Sequence, residues 1–128
     1  MDMRGYQRYR EESLNTMTQG ELQLLLYDEL VKRLTIAELE LKKQNYPAFE
    51  AAVDRSLAIV HYFEDTLDRQ YPISRDLARL YEYLCYELGR VKIGRNETEL
   101  ARVKGMAGEL RDSFRQAEKN VASEGAGQ

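Results

Sequence analysis

Residues 18–44 read TQGELQLLLYDELVKRLTIAELELKKQ, and this stretch decides the fold. Its leucines recur three or four positions apart, which is the spacing of one face of an α-helix. Thr18 and Glu21 have the spacing of a capping box, so a helix is predicted to begin there and to reach the end of the stretch. Residues 24–27, however, are four consecutive apolar residues, and they point around most of the helix circumference. The helix therefore offers more apolar surface than one face of a bundle core needs.

Three further helices are predicted downstream. Pro47 suits the first turn of the second helix, and Ser74 is predicted to cap the third. Asn96 and Glu99 have cap-like spacing at the start of the fourth. Each segment carries apolar residues in steps of three and four, and the breaks between segments are short, as in an up-down bundle. These three helices are predicted to end near Arg69, Ile93 and Lys119.

The predicted fold is accordingly an all-α, antiparallel up-down four-helix bundle. Residues 1–17 form an N-terminal arm or short helix in this scheme, residues 18–119 form the bundle, and residues 120–128 form a flexible tail. A chain of 128 residues with 43% hydrophobic and 32% charged residues suits one helix-rich domain.

Composition also excludes several classes of function. The net charge of −3 argues against a general attraction to nucleic acid or to anionic membranes. The single cysteine, Cys85, cannot form an intramolecular disulfide and fits a reducing compartment. The sequence has neither the apolar run of a secretory signal nor the ~20 apolar residues that cross a bilayer. We expect a cytoplasmic protein without nucleic-acid binding or membrane insertion.

The sequence gives no indication of catalysis. Its one histidine, His61, follows Ala58 by three positions, so the Glu-x-x-His pair of a bundle di-iron site is absent. One cysteine and one histidine do not supply a zinc set without carboxylates. Cys85 lies in mid-helix near the core side, which favours a buried, inert thiol over a nucleophile. We expect a protein that is not an enzyme and that holds no metal and no cofactor.

Several apolar or small residues fall outside the predicted core. On a helical wheel of the first helix, Leu24 and Val31 lie roughly 120° from the core stripe, with Tyr27 between them. The predicted core stripe of this helix consists of Leu22, Leu26, Leu30, Leu34, Ala37 and Leu41.

Two other helices carry the same surplus. Tyr83, Tyr86 and Ile93 lie off the core stripe of the third helix, and Gly105 and Gly108 lie opposite the core on the fourth. An interior glycine costs a helix up to about 1 kcal/mol relative to alanine, but it lets another chain approach closely. We expect a groove for an amphipathic or extended peptide. Its predicted residues are Leu24, Tyr27, Val31, Tyr83, Tyr86, Gly105 and Gly108.

Two alternatives stand beside this hypothesis. A broad apolar first helix also suits the most central helix of a bundle, and scattered apolar surface residues are common. The N-terminal arm has two interpretations as well. Tyr6 and Tyr9 are expected to cover part of the groove when no partner is bound, or else they merely cover the core.

The chain resembles the FliS family of flagellar secretion chaperones, which bind flagellin. The similarity spans about residues 6–119 and rests on the order and spacing of several short pieces. Glu29, Glu82 and Phe114 depart from the family pattern. The matching pieces are YQRYR (6–10), LNTMTQGELQLLLYDELVKRL (14–34), AIVHYFEDTLD (58–68), YPISRDLARLYEYL (71–84) and ELRDSFRQA (109–117).

The resemblance implies a cytoplasmic export chaperone. Such a protein binds the disordered C-terminal segment of flagellin, prevents premature polymerisation, and assists delivery to the flagellar type III export apparatus. Because it acts by burying that segment, we expect a one-to-one complex. The resemblance also implies that the arm with Tyr6 and Tyr9 occupies part of the same surface, and it is compatible with self-association of the empty protein. The alternative is a homodimeric helical-bundle interaction module with a different protein partner.

Overall fold

The computed structural model describes Arg4, Gly5, Gln7, Arg8 and residues 17–126, the last three of them in backbone only. Four long α-helices make up the described part of the chain: α1 (Gln19–Lys42), α2 (Tyr46–Asp65), α3 (Ser74–Gly94) and α4 (Glu97–Ala126). Helix α1 packs chiefly on α2 and α4, and α3 packs on the same two helices. The helices therefore form a ring in which α1 and α3 occupy opposite corners. The predicted all-α four-helix bundle is confirmed.

Ion pairs between helices show that neighbours run in opposite directions. Lys104 of α4 contacts Glu38 of α1 at 2.7 Å, and Arg115, farther along α4, contacts Asp28, earlier in α1, at 3.1 Å. Ion pairs near the surface contribute at most about 1 kcal/mol each, so these pairs indicate the alignment of the helices more than they stabilise the fold.

The helices begin largely where the sequence predicts. Thr18 Oγ1 accepts the backbone N–H of Glu21 at 3.1 Å, and Asn96 Oδ1 accepts that of Glu99 at 3.0 Å. Each bond satisfies a backbone donor that has no partner within the helix. Pro47 lies in the first turn of α2. These three predictions are confirmed.

Three predicted helix boundaries are wrong: the start of α3, the end of α2 and the end of α4. Ser74 does not cap α3, because it is the buried first residue of the helix and Ile73 occupies the cap position without a side-chain hydrogen bond. Helix α2 ends at Asp65 instead of near Arg69. Thr66 Oγ1 donates to the carbonyl of Tyr62 at 2.8 Å as the chain leaves the helix.

Helix α4 is longer than expected. It continues to Ala126, past the predicted end near Lys119, so residues 120–126 are helical where a flexible tail was expected. Two alanines and one glutamate, which favour helix, lie among residues 120–126. Val121 is nevertheless exposed, because this end of α4 extends beyond the core.

Two tight turns close the opposite end of the bundle. Gln44, between α1 and α2, has φ 60°, and Arg95, between α3 and α4, has φ 53°. Both residues lie in the left-handed region, which favours glycine. The Arg95 guanidinium lies 3.5 Å from the centre of the Tyr46 ring, a cation–π contact that joins the two turns.

An aromatic cluster closes the core at the end where α1 begins. We define it as Tyr27, Phe63, Tyr81 and Phe114, one residue from each helix. The Tyr27 ring stacks on Phe63 at 4.3 Å and on Phe114 at 4.8 Å between ring centres. The Tyr27 and Tyr81 hydroxyls are hydrogen-bonded at 2.6 Å, so neither buried hydroxyl lacks a partner.

The position of Tyr27 corrects the predicted core stripe of α1. Tyr27 is 0% exposed, so it belongs to the core and not to an outer groove. Leu22 and Leu26, which were predicted to be in the stripe, are only partly buried. Tyr27 takes the inner position in place of these leucines, because three aromatic neighbours and a hydroxyl partner are available there. The buried stripe of α1 is Tyr27, Leu30, Leu34, Ala37 and Leu41.

Candidate partner-binding surface

The predicted residues of α1 lie beside α4. Leu24 and Val31 are both partly buried. They share a helix face with Asp28 and Glu38, whose ion-pair partners are on α4. Leu24 and Val31 therefore line the groove between α1 and α4. Leu25, which sequence reasoning did not single out, points outward and is exposed.

The predicted residues of α3 are exposed. Tyr83 is 38% exposed and Tyr86 is 65% exposed. With Arg79 and Glu82 they line a shallow depression of ≈ 300 Å³. The Arg102 guanidinium of α4 lies 5.4 Å from the centre of the Tyr83 ring, so Tyr83 faces the groove between α3 and α4. Ile93 is also exposed, and the prediction that these three side chains lie off the core is confirmed.

The two glycines of α4 have open space above them. A Cβ atom added at Gly105 or at Gly108 would meet no other atom within 4 Å. Gly108 lies on the side of α4 that carries Lys104 and Arg111, which face α1, while Gly105 lies opposite the core. Packing within the described chain therefore does not require a glycine at either position.

The predicted groove residues of α1, α3 and α4 do not line one groove, because α1 and α3 occupy opposite corners of the bundle. They form a band that passes over α4 from the α1–α4 groove to the α3–α4 groove. Tyr27 is excluded from this surface by its burial. Tyr6 and Tyr9 lie outside the described residues. We define the outer band as Leu24, Leu25, Val31, Tyr83, Tyr86, Gly105 and Gly108.

A buried carboxylate fixes the α3–α4 side of the outer band. Glu87 is 3% exposed, and it accepts hydrogen bonds from Arg90 Nη1 at 3.3 Å and from Arg102 Nη2 at 3.0 Å. Arg102 also donates to Glu99 at 2.7 Å, and this bond lowers the pKa of the Glu99 carboxyl. Because Arg102 is held from two directions, its guanidinium stays beside Tyr83 and gives this part of the outer band a fixed positive group.

Sequence reasoning missed a pocket at the end of the bundle where α1 begins. This end pocket has a volume of ≈ 360 Å³ and lies beside the aromatic cluster. Tyr71 and Ile73, on the connection between α2 and α3, are both exposed. Their position on either side of Pro72 was the available indication in the sequence. The pocket is lined by Gln19, Gln23, Phe63, Thr66, Leu67, Asp68, Tyr71, Ile73, Ser74, Leu77 and Phe114.

The two buried tyrosines and the partly buried cysteine are not activated. Burial raises the pKa of Tyr27 and of Tyr81 above the usual value of 10.0. Burial, with a smaller contribution from the neighbouring Glu64, raises the pKa of the Cys85 thiol to about 12. At neutral pH this thiol is protonated, whereas a nucleophilic cysteine acts as the thiolate.

Three side chains with atoms that bind metals lie together between α2 and α3. They are His61, Glu64 and Cys85, and one ligand atom of each lies within 4.8 Å of the others.

Among the helices that the structure describes, none has the length and hydropathy needed to cross a membrane.

The sequence is similar to known flagellar proteins. The model of the family described as flagellar protein FliS matches residues 2–121. The flagellar secretion chaperone FliS of Bacillus subtilis (strain 168) is 28% identical over 112 residues, which cover 88% of this chain and 84% of that protein. Because the family model covers nearly the whole chain, the four-helix bundle described above belongs to the FliS family of flagellar proteins.

Proposed function

We propose that this protein is a cytoplasmic export chaperone that binds the disordered C-terminal segment of flagellin. Binding prevents premature polymerisation and assists delivery to the flagellar type III export apparatus. The mechanism requires no catalysis, because burying the segment that flagellin uses for self-assembly is sufficient to block it. The observation that carries the proposal is the outer band, a set of exposed or partly exposed apolar and small residues on a bundle of the FliS family.

The shape of the outer band favours a partner that wraps around the bundle. A disordered segment loses conformational entropy when it binds, so it needs a large contact surface for useful affinity. The band runs across α1, α4 and α3 and so offers several separate contact points. Leu24 and Val31 provide apolar contacts at one edge, and Tyr83 and Tyr86 provide aromatic contacts at the other. Between them, Gly105 and Gly108 allow the backbone of the partner to approach α4 closely.

The N-terminal arm has a regulatory part in this proposal. Residues 1–17 precede α1, whose first residue, Gln19, lines the partly apolar and open end pocket. The arm, with Tyr6 and Tyr9, covers part of the binding surface in the free protein and is displaced by flagellin. Deleting residues 1–17 should therefore strengthen the binding of a C-terminal flagellin peptide.

A flagellin assembly assay tests the proposal directly. Purified protein is mixed with monomeric flagellin from the same organism at an equimolar ratio, and polymerisation is followed by light scattering. We expect a marked delay that saturates at one chain per flagellin. A C-terminal flagellin peptide should also be retained in a pull-down by the protein, whereas flagellin lacking that segment should not. An unchanged rate of assembly would refute the proposal.

Measurements of mass separate the proposal from the homodimer alternative. A homodimeric module buries its surplus apolar surface against a second copy. Light scattering across a range of concentrations should then show a stable dimer that flagellin does not dissociate. The proposed chaperone should instead give a one-to-one complex whenever flagellin is present, including when the free protein self-associates.

A further inference from the structure

A cluster outside the outer band joins α2 to α3. His61 and Glu64 are three positions apart on α2, so their side chains lie on the same helix face. Cys85, at the middle of α3, faces them. The Cys85 Sγ atom lies 3.3 Å from Glu64 Oε1 and 3.8 Å from His61 Nδ1, and the two atoms of α2 lie 3.1 Å apart. The three atoms form a compact triangle at the surface between the helices.

The dimensions of this triangle match a tetrahedral zinc site. With Zn–N and Zn–O bonds of about 2.0–2.1 Å and a Zn–S bond of about 2.3 Å, tetrahedral geometry places such ligands about 3.3–3.6 Å apart. Of the observed separations, 3.3 Å lies within this range, and 3.1 and 3.8 Å each lie about 0.2 Å outside it. Thiolate, imidazole and carboxylate groups are each ligands that zinc uses in proteins.

We propose that His61, Glu64 and Cys85 form a zinc-binding site that joins α2 to α3, with water at the fourth position. His61 is exposed and the other two residues are partly buried, so the site is open to metal from solution. Sequence reasoning expected no metal site, because one cysteine and one histidine do not supply a zinc set without carboxylates. Glu64 supplies the carboxylate here, and its approach to Cys85 depends on how α2 and α3 face each other.

Metal binding replaces the hydrogen bond that the thiol makes. In the metal-free protein the Cys85 S–H donates to Glu64 Oε1. When Zn²⁺ binds, the S–H bond breaks, the sulfur keeps the electron pair and forms the Zn–S bond, and the proton passes to the solvent. A bound cation favours the thiolate strongly enough to reverse the effect of burial on a coordinating cysteine. Since the metal binds groups on two helices that separate on unfolding, it stabilises the folded chain.

Metal titration of the purified full chain tests this site. ZnCl₂ is added to metal-free protein, and the bound metal is counted by native mass spectrometry. CoCl₂ serves as a spectroscopic probe, because a Co–thiolate bond gives a charge-transfer absorption band. We expect one metal ion per chain, the cobalt–thiolate band, and a rise in melting temperature of about 5–10 °C with zinc at a hundredfold excess over its Kd.

Three variants separate this site from adventitious binding. Cys85→Ser should abolish the cobalt–thiolate band and the rise in melting temperature. His61→Gln, at an exposed position that leaves the fold intact, should weaken zinc binding by about tenfold or more. Asp65→Asn removes an exposed carboxylate next to Glu64 and should bind zinc as tightly as the wild type. The proposal is overturned if no stoichiometric metal binds, or if Cys85→Ser binds cobalt and zinc like the wild type.

Discussion

Tyr81 and Tyr83 lie two residues apart on α3, but Tyr81 faces the core and Tyr83 faces the surface. Tyr81 is fully buried, hydrogen-bonded to Tyr27 and part of the aromatic cluster. Tyr83 is partly exposed beside Arg102 at the edge of the outer band. Two positions on a helix correspond to a rotation of about 200°, so neighbouring tyrosines face the core and the solvent in turn. The comparison separates residues that hold the bundle together from residues that are left for a partner.

Truncation of the two tyrosines should give the largest contrast. Tyr81→Ala removes a buried ring and leaves a cavity in the aromatic cluster, so we expect a loss of about 3–5 kcal/mol in the free energy of unfolding. Tyr83→Ala should cost no more than about 1 kcal/mol, because its ring is partly exposed and its cation–π contact with Arg102 lies at the surface. Urea denaturation followed by circular dichroism measures both. Equal losses would contradict the division between core and outer band.

Alkaline pH should weaken the core through the same tyrosines. Burial raises the pKa of Tyr27 and Tyr81 in the folded state above 10.0, so the unfolded chain loses these protons first as the pH rises. Their contribution to stability is therefore complete below pH 10 and is lost above it. We expect Tyr27 to account for a loss of roughly 1.4 kcal/mol at one pH unit above 10, and Tyr81 to add a loss in the same direction.

The control for the pH experiment is the double variant Tyr27→Phe/Tyr81→Phe. It keeps both rings and removes both hydroxyls, so the groups that titrate elsewhere affect it and the wild type equally. Its free energy of unfolding should fall less steeply between pH 9 and pH 11 than that of the wild type. Parallel curves would show that the two hydroxyls do not hold their protons more tightly in the folded state.

Substituting the glycines of α4 should change the free energy of unfolding less than the tyrosine truncation does, and in the opposite direction. Gly105→Ala and Gly108→Ala should each raise the free energy of unfolding by up to about 1 kcal/mol, because helix propensity improves and the added methyl group meets no atom. Both should weaken flagellin binding, since the methyl group occupies space that the partner needs. Gly89→Ala on α3 is the matched control, because its Cβ also meets open space but lies outside the outer band. We expect it to stabilise the protein without changing affinity, as measured by thermal melting and calorimetric titration.

Sequence periodicity predicted the four helices well, because each carries a repeating apolar face and two begin with predicted side-chain caps that the structure contains. It misplaced Tyr27. The wheel of α1 offers leucines on several sides, and only the neighbouring rings of Phe63 and Phe114 show which side is inner. The end of α2 was also missed, since the bond from Thr66 that accompanies it has no distinctive pattern in the sequence.

The candidate site was predicted residue by residue but not as a surface. A wheel shows that Tyr86 or Gly105 lies away from the core of its own helix. It does not show that α1 and α3 occupy opposite corners of the bundle, with α4 between them. The same limitation hid the cluster of His61 and Cys85, which are 24 positions apart and meet only because α2 and α3 face each other there.

The most direct test of the outer band compares charged substitutions on two exposed faces. Tyr83→Asp/Tyr86→Asp alters the outer band on α3, whereas Tyr62→Asp alters a tyrosine of similar exposure to Tyr83 on α2, the helix outside the band. Calorimetric titration with the C-terminal flagellin segment should show at least about tenfold weaker binding for the first variant and unchanged binding for the second. Both should melt close to the wild-type temperature. Equal affinity in the two variants, or a large loss of stability in the first, would contradict the assignment of these tyrosines to a partner.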